Sequence, residues 1–416
     1  MKKMIIALLA VCLLAAGALG FLASCGEKSG TVTLADSVVT AAPAQDADAS
    51  GPSDADASAQ DAEAYQLRVP DYEAMYALHE PDEVVAAVDG KDVTWGELFY
   101  LYFSQAKQIE TYFSNMAAYY GAAPDWDSQI SEDSDRTFAD SVAEGAESTL
   151  KEICAIEGLA AQSKVELSDE QLAAIRTQEE QDIAGAVGEG KTVEDFNAYI
   201  KTIFLPRTLY DRMNRINFLY RQSFVQAYGE NGELVEDEAA VRYLTDNNYL
   251  AATHILLMTI DPDTFKALDE ETAAARKAQA EEIAAELQAI GDDAERLARF
   301  SELKEKYCED TGKTAYPDGY TFLPGKMEPV FENAVLALED YQVSDPVLSD
   351  YGYHVVMRLP LDPDGVIEYS SAGTPLTARS KAANEAYGQQ LQDYYDGLTV
   401  SYADGFALPK LTDYLQ

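Results

Sequence analysis

Between about residues 96 and 247, apolar side chains recur every three or four positions, the spacing of amphipathic helices. The longest such pattern runs from Gly96 to Tyr120, with Leu98, Leu101, Tyr102, Ala106 and Ile109 in phase, and a second covers Phe138 to Ser163. A third opens at Ser168, where Gln171 three positions on completes a capping-box pattern ahead of Leu172. Thr192, Pro206 and Asp237 open the helices that follow. Ahead of this run, Val84 to Val88, Asp89-Gly90 and Val93-Thr94 read as a hairpin. At Leu250 the texture changes. Ala251 to Met258 is a strand, Thr272 to Ile290 and Glu295 to Tyr307 are amphipathic helices, Phe331 to Leu338 is a short helix, and Tyr353 to Leu359 is a closing strand. A final helix spans about Thr377 to Leu398, and no internal repeat of fixed period is present.

These elements predict an α+β chain: a mostly helical N-terminal domain, an inserted compact α+β unit whose outer strands pair at the sheet centre, and a C-terminal helix. The expected boundaries are 1–24 for a signal, 25–64 for a linker, 65–249 for the helical domain, 250–360 for the α+β domain, and 361–416 for the returning helix and tail. At 416 residues the chain is long enough for more than one core.

Charge narrows the choice of partners. The formal net charge is −43, which repels phosphate backbones, so a nucleic-acid partner is not expected. With 3 His and 4 Cys, a zinc site of the usual ligand types is not expected either, and no cofactor is called for.

The first 24 residues have the layout of a secretory signal: Lys2 and Lys3, an apolar run from Met4 to Leu14, then small residues and no acid. They end in Leu22-Ala23-Ser24-Cys25, which resembles the lipobox of bacterial lipoproteins. That resemblance implies cleavage before Cys25, a diacylglycerol on its thiol, and a location on the outer face of the cell membrane. Ala41 to Ala64 contains only Ala, Pro, Gln, Asp, Ser, Gly and Glu, which cannot offset ordering entropy by burial and so reads as an acidic tether.

The segment Ala252 to Leu359 resembles a parvulin-type peptidyl-prolyl isomerase. The likeness rests on the His254-Ile255-Leu256-Leu257 start, Phe300-Ser301-Glu302-Leu303, Tyr307-Cys308-Glu309-Asp310, Met327 and Phe331 four apart, and Tyr351-Gly352-Tyr353-His354. The stretch Val84 to Leu98, with Asp89-Gly90-Lys91-Asp92-Val93-Thr94, is similar to the N-terminal chaperone domain of extracytoplasmic foldases of the PrsA and SurA kind. In that family a helix after the isomerase packs back on the N-terminal helices. The likeness implies His254, Asp310 and His354 as catalytic residues, with the two His rings neighbours sharing hydrogen bonds. It also implies Met327, Phe331 and Phe322 as the grip on the proline ring. Asp310 would face the substrate carbonyl region, acting electrostatically or by hydrogen bonding.

Chemistry gives those residue types a purpose. An X-Pro amide rotates over a barrier of ~18–20 kcal/mol because twisting removes C–N resonance. A catalyst needs no bond broken, only a dry pocket and groups that favour the less dipolar twisted amide. The bland readings are a core histidine on an apolar strand and Met and Phe as packing; two of only three His falling at the family's positions favours the site. His79 carries no motif and reads as a surface residue. An oxidising compartment admits a disulfide between Cys154 and Cys308, but two buried thiols are favoured.

The chain also departs from the family. Tyr316-Pro317-Asp318-Gly319-Tyr320 replaces a glycine pair and a further glycine, and Asp261-Pro262-Asp263 stands where a phosphate-directed enzyme needs cations. The expected function is a membrane-anchored isomerase and foldase for exported, partly folded proteins with X-Pro bonds. The alternative is a holdase that binds such clients without catalysis. A solute-binding lipoprotein is a distant third, because no pair of βαβ lobes is present.

Overall fold

The computed structural model describes residues 67–131 and 133–416. The signal, Cys25 and the whole of the acidic tether therefore lie outside the described residues. The chain divides into two compact units, one built from residues up to Gln226 together with Gln389–Gln416, the other from Ala227–Gly388.

The first unit is helical around a small sheet. It begins with α1 (Tyr72–Tyr76), β1 (Val84–Val88) and β2 (Lys91–Thr94), followed by α2 (Trp95–Tyr120), α3 (Phe138–Gln162), α4 (Asp169–Val187), α5 (Val193–Thr202) and most of α6 (Arg207–Tyr228). Four helix starts are closed by reciprocal caps: Thr94 with Glu97, Thr137 with Asp140, Ser168 with Gln171, and Thr192 with Asp195. Each satisfies backbone donors that the first turn leaves free. The hairpin gains a third strand, β9 (Val400–Tyr402), which pairs antiparallel with β1 in the order β2-β1-β9. Near it, Trp95, Phe99, Phe204 and Tyr76 pack ring against ring. His79 is not a bare surface residue: its ring lies 5.1 Å from Trp95 and 5.2 Å from Phe406, with Nδ1 beside Glu83. The Tyr394 ring tip packs directly on Gly158 of α3, where a Cβ would lie 2.3 Å from the Tyr394 hydroxyl. Tyr395 beside it meets the Ser148 hydroxyl at 3.0 Å and lies under the Lys151 ammonium.

The second unit contains α7 (Asp237–Asp246), β3 (Leu250–Met258), α8 (Glu270–Gln288), α9 (Asp293–Tyr307), a 3₁₀ turn (Thr311–Thr314) and β4 (Tyr320–Phe322). Then come α10 (Pro329–Leu336), β5 (Val347–Leu348), β6 (Gly352–Arg358), the hairpin β7 (Val366–Tyr369) and β8 (Pro375–Thr377), and the start of α11 (Ala378–Gly397). The main sheet is antiparallel in the order β4-β3-β6-β5. The two outer strands in sequence, β3 and β6, thus sit at its centre, in the register His254↔Val356 and Leu256↔His354. β3 is buried from Leu250 to Leu257, because α8 and α9 cover one face and α10 the other, and a strand covered twice shows no polar alternation. The larger core holds Ile255, Leu257, Ile283, Leu287, Phe300 and Met357. The smaller core, under α10, holds Leu250, Ala252, Phe322, Phe331, Val335 and Val356. His254 shares strand parity with Ala252, so it points to the α10 side.

Candidate active site

Asp310 is the centre of the constellation. The chain leaves α9 at Cys308, and this loop is stitched to β3. The Leu256 N–H donates to the Cys308 thiol at 3.4 Å, the Glu309 N–H donates to the Leu256 carbonyl at 2.9 Å, and the Met258 N–H donates to the Glu309 carboxylate at 2.7 Å. Asp310 then caps the 3₁₀ turn, its Oδ1 accepting the Gly312 N–H at 2.9 Å. Its Oδ2 accepts the Tyr320 hydroxyl at 2.5 Å and lies 3.1 Å from His254 Nε2. Burial alone would raise this carboxyl, but hydrogen bonds from His254, Tyr320 and the Gly312 amide hold it well below the usual carboxylate range. Burial likewise pushes His254 down, and the Asp310 hydrogen bond with help from Cys308 outweighs it, so its pKa stands above the usual value. The raised imidazole and lowered carboxyl shift in the directions that favour a charged pair.

His354 has different hydrogen-bond partners from those the resemblance implied. Its Nε2 pairs with the Ser349 hydroxyl at 2.7 Å, and its ring meets His254 edge to face at 5.1 Å. The two His rings share no hydrogen bond: Nδ1 of each is buried without a partner. The register explains this, because His254 and His354 are diagonal across β3 and β6 rather than opposite each other. Burial first, and the neighbouring His254 charge second, push His354 down to about 3, so it is a neutral ring.

The apolar wall is closed. Phe331 lies 5.2 Å from His254 and 5.8 Å from Phe322, centroid to centroid. A ring that grips proline needs an open face, yet Phe331 is only 3% exposed and Phe322 only 5%. Both belong to the core under α10. Met327 lies in the turn before α10 and is half-buried against that core. The structure thus brings His254, Asp310, His354, Phe322, Phe331 and Met327 into one neighbourhood; Cys25 lies outside the described residues.

Sequence reasoning missed Tyr320 and Ser349 as hydrogen-bond partners within the site. Tyr320 stood in the loop noted as a departure, and its position opposite Ala252 on β4, with a hydroxyl reaching Asp310, depends on strand pairing. Gly319 just before it adopts φ +115°, and a Cβ there would lie 2.7 Å from the Ala252 carbonyl oxygen. Nothing local marks Ser349. Among the described residues no group of three His, Cys, Asp or Glu is disposed to hold a metal ion, and no helix is long and apolar enough to cross a membrane.

With this geometry in place, residues 254–359 match the PPIC-type PPIase domain of the rotamase family, so that segment is a parvulin-type peptidyl-prolyl isomerase domain. Over 212 residues the chain is 28% identical to the foldase protein PrsA of Oceanobacillus iheyensis, a match covering 50% of this chain and 58% of that protein. It is 32% identical over 107 residues to the chaperone SurA of Burkholderia thailandensis, covering 26% and 22% respectively. The match therefore spans less than two thirds of either relative. Among solved structures it is similar to PrsA from Bacillus subtilis at 18% identity, covering 76% of this chain and 91% of that one with a TM-score of 0.23.

Proposed function

We propose that this protein is a lipid-anchored foldase outside the cytoplasmic membrane, which isomerises X-Pro bonds in exported polypeptides that are not yet folded. The observation that carries the reading is the Asp310 carboxylate, saturated by Tyr320, His254 and the Gly312 amide, beside the Phe322–Phe331 wall of an isomerase domain. A planar X-Pro amide concentrates negative charge on its carbonyl oxygen, and twisting withdraws it. A fixed carboxylate facing that oxygen disfavours the planar amide more than the twisted one and so lowers the barrier. Three donors keep the charge in place without a proton to lose. The proline ring would pack beside Met327 against the Phe331 and Phe322 wall. The relatives named foldase and chaperone support clients of this kind, and the lipobox-like Leu22 to Cys25 supports the anchor.

The closed wall favours one second reading, a holdase whose isomerase fold is idle. Exchange NMR on an X-Pro peptide with the full chain separates the two. Foldase action requires turnover well above the uncatalysed rate, with most of it lost in Asp310→Ala and His254→Ala. Background-level turnover in wild type moves the function to client binding alone.

A further inference from the structure

The hairpin β7–β8 lies beyond the segment matched to the isomerase domain, yet it is tied into the loop that carries Asp310. Tyr369, the last residue of β7, donates its hydroxyl to the Ala315 carbonyl at 2.6 Å. Ala315 closes the 3₁₀ turn that Asp310 opens, so this bond pins the far end of the turn. The Tyr369 ring also meets Tyr316 edge-on at 5.6 Å; Tyr316 packs on Tyr320 at 4.9 Å; and Tyr320 donates to Asp310. Two routes, one through backbone and one through rings, thus run from Tyr369 to the same carboxylate. The hairpin is itself well anchored. Arg379 makes a two-pronged ion pair with Asp364 at 2.8 and 3.0 Å and a third contact to Asp237 at 2.7 Å, while Lys381 pairs with Glu368. The Ala378 and Arg379 amides donate to the Gly365 and Pro363 carbonyls. Tyr320, Tyr316 and Tyr369 stand where the chain departs from the family's glycines or lies outside the family's segment. The loop is here lined by aromatic rings tied to the hairpin.

We propose that this hairpin completes the isomerase site, and that Tyr369 is a positioning residue that holds the Asp310 turn in register with His254. The proposal rests on the isomerase reading above. It requires no contact between Tyr369 and substrate. A ring that is 40% exposed can be replaced without opening a core, so its variants should fold.

The test uses the full chain with Tyr369→Ala and Tyr369→Phe, read in two ways. Exchange NMR on an X-Pro peptide gives kcat and KM separately. Proton NMR of the histidine ring resonances follows the His254 titration, whose neighbours are Asp310 and Cys308 on the loop, Tyr320 on β4 and His354 on β6. Losing both the ring and its hydrogen bond should lower kcat about tenfold with KM unchanged. Tyr369→Phe, which keeps the ring on Tyr316, should lower it about threefold. In both variants the His254 midpoint should fall, because a loosened carboxylate no longer offsets burial. Wild-type kcat in both variants overturns the proposal. So does a raised KM at constant kcat, which would make Tyr369 a substrate contact, or a lowered kcat with an unmoved His254 titration. If wild type shows no turnover, the isomerase reading fails, and the histidine titration still decides whether Tyr369 positions Asp310.

Discussion

Phe331→Ala tests whether the ring that would grip proline is also a structural beam. Phe331 is 3% exposed and packs on Phe322, His254 and His354. Nearly all of an aromatic side chain, on the order of 150–250 Å², is therefore withheld from water. At about 25 cal/mol per Å² the loss would be about 4–6 kcal/mol, an upper bound because unfolded chains already bury part of this area. Truncations of buried phenylalanine cost about 3–5 kcal/mol, so about 4 is expected here. For a unit the size of Ala227–Gly388 that corresponds to a melting temperature lower by about 8–16 °C. Tryptophan fluorescence would not report it, since Trp95 and Trp126, the only two in the chain, both lie in the first unit. Hydrogen exchange of β3 and β6 amides in increasing urea reads the right unit. Isomerisation is then compared at a temperature where the variant stays folded. Phe331→Leu supplies the contrast: it should recover stability to within about 1.5 kcal/mol of wild type, while turnover stays low because a flat ring face is missing. A loss under about 1 kcal/mol in Phe331→Ala would refute the packing argument, and wild-type turnover in Phe331→Leu would refute the role in gripping proline.

Acid should weaken the second unit through His354. Its folded pKa of about 3 lies below the ordinary ~6.5, so below pH ~6.5 the unfolded chain takes up a proton that the folded one refuses, and stability falls as pH drops towards 3. Between pH 6.5 and 5 the slope should approach about 1.4 kcal/mol per unit at most. Urea melts by hydrogen exchange should show it in wild type and not in His354→Gln. His254 has the opposite sign: its raised pKa adds stability that is complete below ~6.5 and lost only as pH climbs through the folded value, so it does not mask the effect. Asp310, held low, loses its contribution only below ~3.9, outside the window. Gly158→Ala should destabilise the first unit by about 1–3 kcal/mol, because the new methyl meets the Tyr394 hydroxyl; a fluorescence melt unchanged within error would show that the α3 surface there has room. Cys25→Ala should move the protein from the membrane fraction to the soluble envelope or medium, and unchanged membrane partition with the signal cleaved would defeat the lipid-anchor proposal.

Much of this architecture is written locally. The helical periods of α2 and α3, the cap at Ser168 and the paired apolar strands β3 and β6 are all readable in sequence, because amphipathic spacing and capping depend on neighbours within a turn or two. His254, Asp310 and His354 were legible through motif order, and their gathering follows from a two-strand core with a loop stitched to its edge. The short elements were not legible. β4, β5 and β9 have two or three residues each, and β9 pairs with β1 more than 300 positions away, so no local pattern marks them.

The partners within the site were likewise decided only in three dimensions. Sequence places two histidines on two strands; the register makes them diagonal, so one finds Asp310 and the other Ser349. Sequence marks Tyr320 as a departure from glycine; pairing opposite Ala252 brings its hydroxyl within 2.5 Å of the carboxylate. Sequence suggests that Phe331 is open to substrate; the placement of α10 over β3 and β6 buries it. The physical reason is common to all three: periodicity and caps are set by near neighbours along the chain, whereas hydrogen-bond partners and burial are set by which strands and helices meet across it.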